Sequence, residues 1–235
     1  MPQLPECYQD RRLAMSVGGS VLFSKDHPEL NREFFSQLTE FLDTQISENR
    51  SVVMIVGGGI LARIRQEDAK HFGVTDPESL DRIGLRVTQH NAYYIQDILE
   101  AQGKPVKKYM FEKRTHPGWI YVRGGKDINH TSDYTAVTAA IKLGSCAIFN
   151  VSTNPGIYAF TETGFDKSNL LEGITFDEYL TRVPEHQPGI NVPFDHEAAK
   201  LAQQNNIRVI LVGPDMKNLT NCINGVDFTG TVMHN

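Results

Sequence analysis

The stretch of this chain that most clearly suggests chemistry is a triple-glycine turn after an apolar run. Residues Ser51–Arg63 read S-V-V-M-I-V-G-G-G-I-L-A-R, which predicts a buried strand, a sharp turn and a helix. Glycine lets the backbone approach a ligand closely, and a helix N-terminus presents unpaired N–H groups and a positive dipole end. This combination is typical of a phosphate site, where Arg63 would add a two-pronged contact. The alternative is a tight turn that needs glycine only for packing.

Two further glycine turns follow apolar runs. Gly18-Gly19 precedes Ser20 after the run that begins at Leu13, and Gly124-Gly125 follows a short apolar run at Tyr121. Three turns of this kind predict that several strand ends converge on phosphate groups.

A polar cluster begins another predicted helix. Asn129–Asp133 reads N-H-T-S-D and offers two hydroxyls, an imidazole and a carboxylate. Thr131 and Ser132 would donate to a phosphate or to a base carbonyl, although the same residues are also typical helix N-caps. The lysines with the best-placed neighbours to meet phosphates are Lys25, Lys126 and Lys200.

The same triple-glycine turn also fits a dinucleotide-binding pattern. Residues Gly57–Ala62 satisfy G-x-G-x-x-A, and Asp76 and Glu78 stand near the expected acidic position. Two features weigh against an oxidoreductase. The glycine pattern lies in the second strand–turn unit and not in the first, and Asp76 and Glu78 are predicted to start a helix and not to end a strand. The chain contains no G-x-x-x-x-G-K-[ST] and no G-x-S-x-G, which excludes a P-loop and a nucleophile elbow.

Composition narrows the class of protein. The net charge of −5 and the pI near 5.9 argue against a nucleic-acid surface, which needs a basic patch. No run approaches the ~20 apolar residues of a membrane span, and the N-terminus has no apolar signal core. Cys7, Cys146 and Cys222 are far apart, and the histidines lack metal-ligand spacing. We therefore expect a cytoplasmic protein with no resident metal site.

Apolar periodicity predicts strands alternating with helices, and so an α/β fold with a largely parallel sheet. The apolar stripe from Leu30 to Ile46 predicts a helix that starts near Asp26–Glu29, and Asp76-Pro77 predicts the start of another helix. Further predicted elements are strands at 52–56, 121–123, 147–151, 207–212 and 230–233, and helices at 133–143, 175–180 and 195–206. The segments 105–119 and 184–193 are predicted to be loops, and 156–176 lacks clear periodicity.

These motifs resemble the amino-acid-kinase superfamily, and most closely its archaeal-type UMP kinases. The matching pieces occur in family order along nearly the whole chain: S-V-G-G-S-V-L (16–22), V-G-G-G-I-L-A-R (56–63), D-R-I-G-L-R-V-T-Q-H-N-A (81–92), G-G-K-D-I-N-H-T-S-D (124–133), and F-D-H-E-A-A-K with I-R-V-I-L-V-G (194–213). The resemblance implies a three-layer α/β/α sandwich formed by one domain over 1–235. Its acceptor-binding part would cover about 12–145 and its ATP-binding part about 146–235.

The resemblance also implies a role for each matched residue. The residues that would bind UMP are Gly58, Gly59, Arg63, Asp81, Gly84, Thr131 and Ser132. Gly18, Gly19 and Ser20 would lie under the transferring phosphoryl group, with Gly19, Asp133 and Lys200 as the catalytic set. The implied ligands are UMP and magnesium ATP, and similar proteins assemble as hexamers.

One segment departs from the family pattern on the ATP side. Relatives carry T-N-V-D-G-V-Y followed by D-P, whereas residues 152–163 read S-T-N-P-G-I-Y-A-F-T-E-T. Thr153, Asn154 and Tyr158 match ATP-binding positions, but Pro155 replaces the aspartate. Proline has no N–H and a fixed φ, so this segment also fits a non-catalytic, nucleotide-binding regulatory protein on the same fold. Another departure is Ser16, where the bacterial branch has a lysine and the archaeal type lacks one.

Overall fold

The computed structural model describes residues 11–23, 29–161, 164–183 and 192–235. Within these residues, an eight-stranded sheet has the order β3-β4-β2-β1-β5-β9-β10-β8, and β6 and β7 form a separate hairpin. The strands are β1 Arg12–Val17, β2 Ser51–Val56, β3 Val106–Lys108, β4 Ile120–Arg123, β5 Ala147–Val151, β6 Tyr158–Thr161, β7 Gly164–Leu170, β8 Gly173–Thr175, β9 Arg208–Val212 and β10 Gly230–His234.

Helices cover both faces of this sheet. They are α1 Gly19–Leu22, α2 Arg32–Ser47, α3 Gly59–His71, α4 Pro77–Ala101, α5 Ser132–Leu143, α6 Phe176–Arg182, α7 His196–Gln204 and α8 Met216–Ile223. One buried cluster joins the sheet to α2, α4 and α8. The other joins its opposite face to α5, α6 and α7. The predicted three-layer α/β/α fold is confirmed.

The central strands are buried on both faces, which explains their continuous apolar sequences. Every residue of β2 and β5 is buried. Strand β1 pairs in parallel with β2 and β5, and β2 pairs in parallel with β4. The carboxyl ends of β1, β2, β4 and β5 therefore meet at one edge, immediately before the glycine turns and the 152–154 segment. The antiparallel pair β9–β10 lies at the other side of β5.

Several boundaries differ from the sequence prediction. Helix α2 begins at Arg32, because the side chain of Asn31 accepts from the Phe34 N–H at 3.2 Å; residues 24–28, where the prediction placed the start, lie outside the described residues. The sequence predicts that one face of α4 is buried, formed by Ile83, Val87, Tyr94, Ile95, Ile98 and Leu99; Tyr94 is wrong in this set, because it is 44% exposed. The 156–176 region contains the β6–β7 hairpin and β8, and helix α8 was not predicted. Most of the predicted loop at 184–193 is outside the described residues.

The described helices include none that combines the length and the apolar character needed to cross a membrane.

Candidate functional site

A cavity of about 360 Å³ opens at the carboxyl edge of the sheet, where the three glycine turns meet. Thirteen of the residues predicted to act in the site line it: Gly18, Gly19, Ser20, Gly58, Gly59, Arg63, Asp81, Gly84, Thr131, Ser132, Asp133, Thr153 and Asn154. The predicted convergence of strand ends is therefore present in the fold. Two of the predicted residues, Lys200 and Tyr158, are not part of the lining.

The first two glycine turns pack directly against each other. A Cβ built on Gly19 would lie 2.4 Å from the Gly59 nitrogen, and one built on Gly59 would lie 2.3 Å from the Gly19 carbonyl carbon. Gly59 also has a positive φ of 58°, which favours glycine. Packing alone therefore requires these glycines, and the same close approach brings the backbone of both turns to the cavity.

Helix α3 begins at the second turn and carries Arg63 one helical turn later. Arg63 is exposed at the cavity, and no ion pair joins it to another described residue. Asp81 and Gly84 come from the adjacent helix α4, where Gln66 of α3 donates to the Leu80 carbonyl at 3.0 Å. A guanidinium beside a helix N-terminus is an arrangement that suits a phosphate dianion.

The Thr131–Asp133 segment both caps a helix and lines the cavity. The Thr131 side chain caps α5 by accepting from the Tyr134 N–H at 3.2 Å, and Thr131, Ser132 and Asp133 also line the cavity. Asn129, just before, has a φ of 63°, a left-handed conformation that asparagine tolerates better than most residues. His130 stacks on Tyr134 with ring centroids 3.9 Å apart.

Asp133 has an unusual electrostatic environment. Its carboxylate accepts from the Ser16 hydroxyl at 3.0 Å and from the Asn150 amide at 2.8 Å. Burial, followed by the nearby charge of Asp195, raises the pKa of Asp133 to about 6, although the bonds from Ser16 and Asn150 act in the opposite direction. A carboxyl group of this kind gains or loses a proton near neutral pH.

Sequence reasoning missed the two residues that hold Asp133. Ser16 was noted only as the replacement of a family lysine, and Asn150 was treated as part of an apolar strand. Both are nearly fully buried, at 1% and 4% exposure, near the carboxyl ends of adjacent strands. The available signal was a polar side chain late in each buried apolar strand, since such a residue needs a partner.

The two candidate lysines within the described residues, Lys126 and Lys200, do not line the cavity. Lys200 lies on α7 with its Nζ 3.0 Å from Glu197 Oε1, and Lys126 pairs with Asp127 at 3.2 Å. Lys25 lies outside the described residues. Arg63 is the one lysine or arginine among the described residues that line the cavity. The same lining includes the carboxylates of Asp81, Asp127 and Asp133.

The chain after β5 lines the cavity as far as Asn154 and leaves it at Pro155. Thr153 and Asn154 line the cavity, and the Asn154 N–H donates to the Ser152 hydroxyl at 3.2 Å. Pro155 instead lies against Gly213 at the end of β9, where a Cβ built on that glycine would be 3.5 Å from the Pro155 Cα. The next residues are held by Thr231, whose hydroxyl accepts from the Ile157 N–H at 2.8 Å. Tyr158 therefore enters the β6–β7 hairpin instead of the cavity wall.

The structure also bears on two hypotheses about ligand type, a resident metal ion and a dinucleotide. The described residues contain no cluster of three or more histidine, cysteine or acidic residues that would hold a metal ion by itself. The acidic residues considered for a dinucleotide site begin helix α4, where the Asp76 carboxylate accepts from the Ser79 N–H at 2.9 Å. They do not end a strand, as the ribose-binding acid of that motif does.

Comparison with known proteins gives a consistent result. A curated uridylate kinase from Thermococcus onnurineus (strain NA1) is 30% identical over 233 residues, covering 94% of this chain and 99% of the relative. One from Natronomonas pharaonis is 26% identical over 227 residues, covering 94% and 97%. The crystal structure of uridylate kinase from Archaeoglobus fulgidus has the same fold, with a TM-score of 0.74 and 23% identity over 94% of this chain and all of that one.

A solved UMP kinase from Bacillus anthracis also has the fold, with a TM-score of 0.74 and 19% identity over 95% of this chain and 96% of that one. The sequence profile of the amino acid kinase family matches residues 11–213, which span every glycine turn and every described residue of the cavity. This chain therefore belongs to the amino acid kinase family.

Proposed function

We propose that this protein is a UMP kinase, which transfers the γ-phosphoryl group of MgATP to UMP and releases UDP. The observation that carries the proposal is the meeting of the Gly18-Gly19 and Gly57–Gly59 turns with Arg63 in one cavity. The curated relatives that match nearly the whole chain support it, since they are named uridylate kinases.

In this proposal the acceptor phosphate binds at the start of α3. The N–H groups of the first helical turn have no acceptor within the helix, and Arg63 adds a planar cation that suits a phosphate. Asp81 and Gly84 face the ribose, and Thr131, Ser132 and Asp133 lie beside the uridine and the phosphates. Phosphoryl transfer then depends on alignment of the two substrates more than on covalent chemistry by the protein.

The moving phosphoryl group would lie over Gly18, Gly19 and Ser20. Backbone N–H groups fixed at such a turn stabilise the charge that develops on the oxygens. Magnesium ATP would supply the phosphoryl group, and its magnesium ion would offset the negative charge of the phosphates. Magnesium is commonly held by substrate phosphates with one or two carboxylates, which suits a cavity with Asp133 in its wall and no self-sufficient metal cluster in the described residues.

Other parts of this proposal rest on the resemblance. They are the division into acceptor and ATP parts near residue 145, the assembly into a homo-oligomer, and the cytoplasmic location. Lys200 has the family's position for a phosphate-neutralising lysine, and its ion pair with Glu197 would have to open for that role.

The substrate assignment is tested by thermal shift with UMP, CMP and AMP in turn. We expect UMP to raise the melting temperature most, because a ligand stabilises the folded state by RT ln(1 + [L]/Kd). Equal shifts for the three nucleotides, or no shift with any of them, would contradict the assignment.

Replacing Arg63 tests the phosphate site. We expect Arg63→Ala to weaken UMP binding about 10- to 150-fold, because a hydrogen bond to a charged group contributes roughly 1.5–3 kcal/mol. Isothermal titration calorimetry measures the affinity. The fold is expected to survive, since alanine favours helix.

The matched control is Arg65→Ala, two residues further on the same helix. Arg65 is exposed, does not line the cavity and pairs with Asp68 at 3.6 Å. UMP affinity that is unchanged in Arg63→Ala, or that falls equally in both variants, would show that Arg63 does not bind the phosphate.

Replacing Asp133 separates a role in catalysis from a role in stability. The pKa of Asp133 is raised to about 6 in the folded protein, from a usual value of 3.8. Between pH 3.8 and about 6, the Asp133 carboxyl therefore binds a proton more fully in the folded state than in the unfolded state. The contribution of Asp133 to the free energy of unfolding consequently falls as pH rises through this range. We expect the melting temperature of Asp133→Asn, relative to the unmodified protein, to rise by a few degrees from pH 4 to pH 7.5.

We expect the same substitution to lower turnover or UMP affinity at pH 7.5. Melting curves and coupled ADP-release assays, made on the same samples, provide the two readouts. Normal kinetics in Asp133→Asn would show that the carboxylate acts only in the structure, through its hydrogen bonds with Ser16 and Asn150.

We expect the ATP half of the site to be the weaker half. Pro155 lies against Gly213, away from the cavity, and the described lining has no lysine. Of the two acids that could replace the missing aspartate, Glu162 lies outside the described residues, and Asp166 accepts from the Ser168 N–H at 3.0 Å in the hairpin.

Separate calorimetric titrations compare MgATP with UMP, and we expect the larger dissociation constant for MgATP together with slow turnover. Tight MgATP binding with rapid UDP formation would contradict this expectation. Binding of UMP with no detectable binding of ATP would favour the regulatory protein instead of the kinase.

A further inference from the structure

Helix α4 places a buried amide behind the triple-glycine turn. Asn91 is 1% exposed, and its Nδ2 donates to the carbonyl oxygens of Gly57 at 3.0 Å and Gly58 at 3.3 Å. These are two consecutive carbonyls of the turn from which α3 begins. One side chain thus fixes two neighbouring peptide units.

Fixing the carbonyls also fixes the direction of two N–H groups. The peptide bonds are trans, and the C=O and N–H of a planar trans peptide unit point in opposite directions. The Gly57 carbonyl shares its unit with the Gly58 N–H, and the Gly58 carbonyl shares its unit with the Gly59 N–H. When both carbonyls are held toward α4, both N–H groups point away from α4.

Helix α3 lacks the side-chain cap that other helices of this fold have. The longer helices α2, α4, α5, α7 and α8 each begin with a side chain that accepts from their first turn. The N-cap of α3 is Gly58, which has no side chain for that purpose. The first N–H groups of α3 are consequently left available to a ligand. The Gly58 carbonyl, which shares a peptide unit with the Gly59 N–H, accepts both from Ala62 within the helix and from Asn91 outside it.

Stability alone does not account for an amide at this position. The Oδ1 atom of Asn91 is buried and has no hydrogen-bond partner among the described residues, and an unpaired buried acceptor carries a desolvation cost. The two hydrogen bonds that Asn91 Nδ2 donates to the Gly57 and Gly58 carbonyls offset this cost.

We propose that Asn91 is a positioning residue, which orients the Gly58 and Gly59 N–H groups toward the phosphate of the acceptor nucleotide. Asn91 does not itself line the cavity. The inference rests on the proposed function for the identity of that nucleotide, and on the hydrogen-bond geometry for the role of Asn91.

The test compares UMP with uridine, which lacks the phosphate. Calorimetry measures both affinities at pH 8 for the unmodified protein, Asn91→Ala and Asn91→Asp. The aspartate variant keeps the shape of asparagine and replaces the donor with a carboxylate that repels the two carbonyls. We expect both variants to bind UMP about 10-fold more weakly or worse, with uridine affinity unchanged.

The matched control is Gln45→Ala. Gln45 is another amide at 1% exposure, and it accepts from Arg50 at 2.8 Å at the end of α2. The Gln45→Ala variant measures the general effect of removing a buried amide. We expect its UMP affinity to equal that of the unmodified protein. If either variant does not fold, Asn91→Leu decides the result, because leucine is similar in size to asparagine, lacks the donor and buries no charge.

The outcomes separate the two proposals. UMP and uridine affinities that fall together, or a folded Asn91 variant with normal UMP affinity, would overturn the role of Asn91. Failure of the unmodified protein to prefer UMP over uridine would overturn the proposed function. In that case the same variants are titrated with inorganic phosphate, where weaker binding supports the role of Asn91 and equal binding overturns it.

Discussion

The close contact between the Gly18-Gly19 turn and the Gly57–Gly59 turn is the constraint on which the site depends. The turns follow adjacent parallel strands, and a side-chain carbon on Gly19 or Gly59 would lie within 2.4 Å of the other turn's backbone. Any side chain there would push apart the two strand ends or tilt the helices that follow them. The same contact brings the backbones of both turns together at the cavity.

Helix α4 holds the second and third glycine turns in place. Asn91 holds the second glycine turn, and Thr88, one helical turn earlier, accepts from the Gly125 N–H at 2.8 Å. Gly124 allows the approach, since a Cβ there would lie 2.4 Å from the Thr88 carbonyl carbon. One face of a single helix therefore sets the distance between the second and third turns, on either side of the space where a nucleotide would bind.

Asp133 illustrates how the site and the stability of the fold are in conflict. Its carboxylate is held by Ser16 and Asn150 from two adjacent strands. Burial nevertheless raises its pKa to about 6, so the ionised group weakens the folded state near neutral pH. A residue chosen for stability alone would be uncharged. A carboxylate in this position is instead typical of a site at which charge is part of the chemistry.

Local sequence patterns were enough to predict the strands of the parallel sheet and the glycine turns at their ends. Continuous apolar runs specify strands buried on both faces, and glycines after three of them specify sharp turns that reach the cavity, as at Gly58 and Gly125. These are local properties, written within a few residues. The hairpin at 158–170 and helix α8 lacked that local signal, so neither was predicted.

Only the tertiary structure decided which polar side chains act together. Ser16 and Asp133 are 117 positions apart, and Asn91 and Gly57 are 34 apart; no spacing rule connects such residues. The fold also left Lys200 out of the cavity lining and placed Tyr158 in a hairpin, although both match the family pattern. Sequence specifies the local backbone through short-range sterics and hydrogen bonding, whereas partnership between distant side chains depends on how the strands and helices are ordered in space.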